Sequence, residues 1–250
     1  MYLDGEPAYE LSFPCGTCGF LFRRLQGSKD TLPVEKLRER LADGLSALDE
    51  EVVTSDEEVV TSFGQLLEEG TYLPLLLTVM PRLVAPAQPG DYFAEEHLST
   101  WGVDSFWGLP EYPRTAYYRT FETHVSGQAH LYEFLVPMLP PAWDDPKRVA
   151  DYVDRLSTSS AATAVAIAIL DVCAPAVAPA NSDWHEHWGL THFLLDGHHK
   201  VHAAAAAQRP LQLLSLLSVE GSLAAPGQVA RVPALRHQIP RPRSKGAATR

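Results

Sequence analysis

The chain has 250 residues, 46% of them apolar, and a formal charge of −11 from 31 acidic against 20 basic side chains. That length and apolar content support one sizeable core and exclude disorder throughout. The acidic balance excludes a broad nucleic-acid-binding surface, which needs a concentrated excess of Lys and Arg, so nucleic acid is not expected as a partner.

The start, MYLDGEPAYELSF, has no basic stretch followed by an apolar run, so no secretory signal is read and a cytoplasmic location is expected. Ala8 to Phe13 and Phe20 to Leu25 have strand composition on either side of PCGTCG, which predicts a hairpin with Cys15 and Cys18 at its tip. From Pro33 to Leu48, Val34, Leu37, Leu41, Leu45 and Leu48 recur at three- and four-residue steps, the pattern of an amphipathic helix. The duplicated EEVVTS that follows, at Glu50 and again at Glu57, is too short for a repeat architecture and reads as a surface excursion.

Tyr72 to Met80 is a compact apolar run between Gly70 and Pro81, suited to a strand. Trp101 to Tyr118 concentrates aromatic residues in Gly- and Pro-containing sequence, which would either wall a pocket or pin a long loop to the core. Tyr117 to Val125 and Ala129 to Leu139 read as a hairpin, and Asp145 to Leu156 as a helix with Asp144 or Asp145 at its cap and Pro146 in its first turn. Ala161 to Ala180 approaches spanning length, but Asp171, Pro175 and Pro179 interrupt it, so Ala164 to Val172 is predicted to be a buried strand and no membrane is expected. A loop from Asn181 to Trp188, a strand from Leu190 to Leu195, a helix from His198 to Gln208 and a strand from Leu211 to Val219 complete an α+β domain over residues 1–220. Within it, residues 1–70 hold the CxxC hairpin and a helix, and about 71–220 the core. Residues 221–250, with six basic side chains, no acid and scattered prolines, read as a disordered basic tail.

The strongest chemical signal is FLLDGHHKVHAAAAA at 193–207, an apolar strand that turns at Asp196-Gly197 directly into an Ala-rich helix. Glycine permits a sharp turn and close approach of a ligand. The first helical N–H groups lack internal partners and carry the positive end of the helix dipole, so they stabilise an anion. Lys200 adds charge, and His198 and His199 add donors that titrate near neutrality. Gly197, His198, His199 and Lys200 are therefore the candidate phosphate-binding residues. Asp196 would sit at the strand's carboxyl end, placed to hold a metal ion, a hydroxyl or the turn's own amides.

This segment resembles the signature of the ParB/sulfiredoxin-like superfamily, in which a strand ends in a Gly-x-His-Arg type turn that binds nucleotide phosphates. The likeness covers 190–214, and Lys200 stands where the family has Arg, a point charge replacing a bidentate fork. The Asp-Gly-His-His form is similar to the branch that includes free-serine kinases. The resemblance implies a ParB/sulfiredoxin-like mixed sheet with flanking helices, a nucleotide (ATP or ADP with Mg²⁺) and a small-molecule substrate. It also implies small-molecule phosphoryl transfer, with Asp196 and His199 among the catalytic residues. His198 occupies the place of the sulfiredoxin cysteine, which argues against sulfinic-acid reduction. A Pro-rich tail instead of a helical DNA-binding domain argues against a partition role. The glutamate that related kinases bring from another loop could be Glu186, Glu122 or Glu133 by position.

PCGTCGF resembles a zinc-knuckle half-site. Further zinc ligands would come from Cys173 or from His185, His187 and His192, with His185 and His187 on one face of an extended chain and Glu186 on the other. Zinc, thiol redox chemistry and a plain tight hairpin all remain open readings of Cys15 and Cys18. The alternative to a kinase is a non-catalytic nucleotide- or metabolite-binding regulator with structural zinc at the CxxC.

Overall fold

Runs of Leu, Ile, Val and Ala separated by Pro- and Gly-marked turns assemble a seven-stranded mixed sheet. The computed structural model describes residues 1–3, 5–12, 21–29, 41–42, 44–45, 57–101, 115–158, 162–174 and 186–237. Two short antiparallel pairs come first: β1 (Tyr2–Leu3) with β2 (Glu6–Pro7), and β3 (Tyr9–Ser12) with β4 (Leu21–Arg24). The tip that would carry Cys15 and Cys18 lies outside the described residues, as does most of the helix expected from Pro33 to Leu48. Leu41 and Ala42 are helical, and Leu41 and Leu45 are buried.

The sheet strands are β5 (Tyr72–Val79), β6 (Arg82–Val84), β7 (Tyr117–Ser126), β8 (Ala129–Pro137), β9 (Thr163–Cys173), β10 (Glu186–Asp196) and β11 (Leu211–Ser218). Their order is β5-β11-β9-β10-β8-β7-β6. β10 runs parallel to β8 and antiparallel to β9, while β9 runs parallel to β11. β8 is buried along its whole length and β9 along nearly all of it, because layers cover both faces.

The helices are α1 (Glu57–Gly64), α2 (Leu98–Trp101), α3 (Pro146–Thr158), α4 (His198–Ala207), α5 (Pro226–Val229) and α6 (Val232–Arg236). One face of the sheet packs against α3 to α6, and the other against the N-terminal strands, α1 and the segment leading into α2. Ala164, Ala166 and Ala168 of β9 share a core with Ala203 and Ala204 of α4, so small side chains on both sides let helix and sheet approach closely. Val201 is fully buried in the same layer, a contribution of about 2 kcal/mol.

Three expectations need correction. The second copy of the duplicated segment is helical, because Val59 and Phe63, one turn apart, bury against the core. β10 begins at Glu186, so Glu186 to Trp188 are strand rather than loop. The chain also stays ordered beyond residue 220: Val229, Val232 and Leu235 recur every three residues and bury one face of α5 and α6. The amide of Ala225 before them is capped by Gln228 Oε1 at 2.8 Å. Among the described residues no helix is long and apolar enough to cross a membrane.

Candidate functional site

The register of β10 against β9 slips between Leu194 and Asp196, and Gly197 then turns the chain with φ 95° and ψ 25°. A side chain there would be strained twice over, since a Cβ would also lie 2.9 Å from Ala164 Cβ and 3.0 Å from its Cα. α4 opens at once, its first helical bond running from Val201 N–H to the Gly197 carbonyl at 2.9 Å. Gly197 offers no capping side chain, so no side chain at the N-cap position satisfies the first-turn amides, at the positive end of the helix dipole.

Lys200 does not point outward with them. It is only 4% exposed, and its ammonium donates to the Thr163 carbonyl at 2.7 Å and to Asp196 Oδ2 at 3.2 Å. The lysine expected to meet phosphate instead ties the turn to β9, because the helical i, i+4 spacing brings it back over Asp196. His198 is also turned inward: its Nε2 is buried without a partner, and burial pushes its pKa down to about 4, so it is neutral at pH 7. His199 faces the cleft. Its Nε2 accepts the Asp145 amide hydrogen at 3.0 Å, which leaves Nδ1 as the protonated nitrogen of the neutral ring. Asp144 braces the same junction, with its Oδ2 2.8 Å from His202 Nδ1.

α3 supplies the opposite wall. Asp145 caps it, accepting the Lys147 amide at 2.9 Å, and its exposed face projects Arg148, Asp151 and Arg155 at i, i+3 and i+7, beside the half-buried Tyr152. These residues, with Asp196, Gly197, His199, Lys200, Leu41 and Ala42, enclose a cleft of about 350 Å³. Arg148 and Arg155 are exposed, and the Arg155 guanidinium lies 5.7 Å from the centre of the Tyr152 ring. Arg148 and Arg155 bring two exposed guanidiniums to the cleft in a chain of charge −11. Sequence reasoning missed these arginines, although their helical spacing was a readable signal.

The other predicted residues are not brought here. Glu186 opens β10 and Asp196 ends it, so about 33 Å of strand separates them. Trp188 Nε1 donates to the Glu186 carboxylate. Glu122 is paired with Arg119 at 2.7 Å. Glu133 is fully buried: it accepts from Thr120 Oγ1 at 2.7 Å, and Arg236 Nε lies 2.7 Å from its Oε2, a charge contact poorly angled for a hydrogen bond. Burial raises its pKa despite Arg236. His192, also fully buried, meets Ser215 Oγ through Nδ1 at 2.7 Å.

Cys15, Cys18 and His185 lie outside the described residues. His187 is held by hydrogen bonds within the protein. Thr100 Oγ1 gives its hydrogen to the Glu96 carbonyl at 2.9 Å, so it accepts from His187 Nε2–H at 3.1 Å. Nδ1 then accepts the Tyr92 hydroxyl hydrogen at 2.7 Å. Both ring nitrogens are used, and no group of three potential metal ligands gathers among the described residues. Trp101, Tyr92 and Tyr132 pack around the same ring at 4.5 to 5.7 Å between centroids. Of the aromatic stretch from Trp101, residues 102–114 lie outside the description, and its last two rings, Tyr117 and Tyr118, are core residues.

No family model matches the chain, and no curated protein or solved structure gives a significant match.

Proposed function

We propose that the protein binds a nucleotide or another phosphorylated small molecule in the cleft between α3 and the Asp196–Lys200 turn, and acts there as a small-molecule phosphotransferase. The observation that carries this reading is the convergence of Arg148 and Arg155 on the uncapped first turn of α4 around a cleft of about 350 Å³. That size suits a small ligand. The amides of the turn, His199 and the two guanidiniums are donors suited to phosphate oxygens. Lys200 and Gly197 act one step back, fixing the turn rather than touching the ligand. The likeness of the strand-turn-helix to the ParB/sulfiredoxin-like superfamily favours a nucleotide among phosphate ligands.

Mg²⁺ needs few protein ligands when phosphates supply the rest, and Asp151 and Asp196 are the carboxylates that fit that role. When bound, the ion would neutralise charge between the phosphates. The chain's own residues orient the phosphates, and a cleft carboxylate accepts the proton of an attacking hydroxyl.

A thermal-shift screen of ATP, ADP and pyrophosphate with and without Mg²⁺ tests binding, and ADP release with a panel of small hydroxyl compounds tests transfer. The expected result is a rise in midpoint with at least one polyphosphate that disappears in Arg148→Ala/Arg155→Ala. No shift with any phosphate ligand would remove the proposal.

A further inference from the structure

The β7–β8 hairpin carries two histidines that the cleft does not use. His124 and His130 stand directly opposite each other in the antiparallel register, so their side chains leave the same face of the sheet. The register slips just after His124, a bulge of the kind that re-aims a side chain. The two rings converge: their Nδ1 atoms lie 3.4 Å apart, with the ring planes nearly perpendicular at 87°. His130 is 6% exposed and packs on the Tyr132 ring at 4.6 Å between centroids, whereas His124 is exposed. One ring is thus fixed by burial, and the other gives an ion a route in from solvent. This is the end of the sheet away from the cleft, since His130 pairs with His187 near the start of β10 and Asp196 closes that strand.

We propose that His124 and His130 form a two-histidine clip for Zn²⁺, with water in the remaining coordination positions. Two Zn–N bonds of about 2.0–2.1 Å meeting at a tetrahedral angle span roughly 3.4 Å, which is the separation found between the two nitrogens. A direct hydrogen bond accounts for the pair less well, because 3.4 Å exceeds the ordinary range of about 2.7–3.2 Å. His187, opposite His130 on β10, extends the row. Its nitrogens already serve Tyr92 and Thr100 at 2.7 and 3.1 Å, so it stays outside the clip and water completes the shell. Imidazole nitrogen suits zinc, while Mg²⁺ prefers oxygen. Both Nδ1 atoms must offer lone pairs to the ion, so each ring is neutral with its hydrogen on Nε2, and protons compete with the metal.

Zn²⁺ and Mg²⁺, titrated separately into the metal-free full chain at pH 7.5 while the His124 and His130 ring Cε1–H resonances are followed by NMR, test the clip. Zn²⁺ is expected to shift both rings together and saturably, with one Kd on the order of 10–100 µM, and Mg²⁺ to leave them in place. At pH 5.5 the zinc affinity should fall by at least about tenfold. His124→Phe, at an exposed strand position, keeps a ring and removes one ligand; the His130 response to Zn²⁺ should weaken by at least about tenfold. The proposal is overturned if Zn²⁺ moves neither ring, if the two rings titrate with different Kd values, if Mg²⁺ moves them as strongly, or if the His130 response survives His124→Phe. The resonances belong to these two rings, so zinc bound at any other cysteine or histidine does not enter the reading. Polyphosphate binding at the cleft is expected to be unaffected by His124→Phe, so the two sites stand or fall separately.

Discussion

The two ends of β10 carry equally polar sequence, Glu186-His187 at one and Asp196 to Lys200 at the other, yet they do opposite things. At the first end the described polar groups turn inward: His187 uses both nitrogens, Tyr92 gives it a hydrogen, and Trp188 donates to Glu186. At the second end the buried Lys200 holds the turn, while the first helical turn has no side-chain cap and the arginines of α3 stay exposed. A cluster of His, Asp and Lys is therefore a site only where donors remain after the fold has taken its own. Density of polar residues does not decide it.

Acid should test this contrast most severely. Burial holds His97 and His198 at about 4 and, with the Arg236 charge, His192 at about 3. Their folded values lie below the ordinary 6.5, so the unfolded chain binds the extra protons and stability falls as pH drops from 6.5 towards 4. Each contributes roughly 1.4 kcal/mol per pH unit in that window, about 4 kcal/mol per unit together. Glu133 and Asp171, raised by burial, partly offset this at the acid end, since they bind protons more readily when folded. Urea midpoints at pH 7.5, 6.0 and 5.0 should decline steeply; a flat profile would mean that these rings are hydrated.

Gly197→Ala should cost about 3 kcal/mol, from positive φ and the clash with Ala164, read as a lower urea midpoint. Lys200→Met should cost about 2 kcal/mol by orphaning Asp196 and the Thr163 carbonyl, yet weaken phosphate binding less than loss of Arg148. If Lys200→Met abolished binding at unchanged stability, the lysine would be a ligand contact after all. At the other end of β10, His187→Phe should cost about 1–2 kcal/mol by leaving the Tyr92 hydroxyl unpaired, with polyphosphate affinity unchanged by calorimetry.

Much of the fold was legible in the sequence because it is locally encoded. Periodicity and proline placement locate β5, the β7–β8 hairpin, α3, β9, α4 and β11 close to their observed bounds. The order of strands was not legible, since β9 inserts between β10 and β11 by pairing choices that no local pattern records. The turn is legible in the sequence but the burial of Lys200 is not, because it depends on the carbonyl of Thr163 in a strand distant in sequence. The tail was read from composition, and the three-residue spacing of Val229, Val232 and Leu235 was outweighed by its prolines. The role of the α3 arginines is not legible locally, because exposed basic residues on an amphipathic helix become part of a cleft only through the packing of α3 beside α4.

The central claim is that phosphate is held by the turn and by Arg148 and Arg155. Isothermal titration of ADP and pyrophosphate into the wild-type chain and into Arg148→Ala/Arg155→Ala tests it most directly. Both positions are exposed, so stability should change by no more than about 0.5 kcal/mol. The account predicts saturable binding to the wild type and at least about a tenfold loss in the double variant. Undiminished affinity in a folded double variant would contradict it.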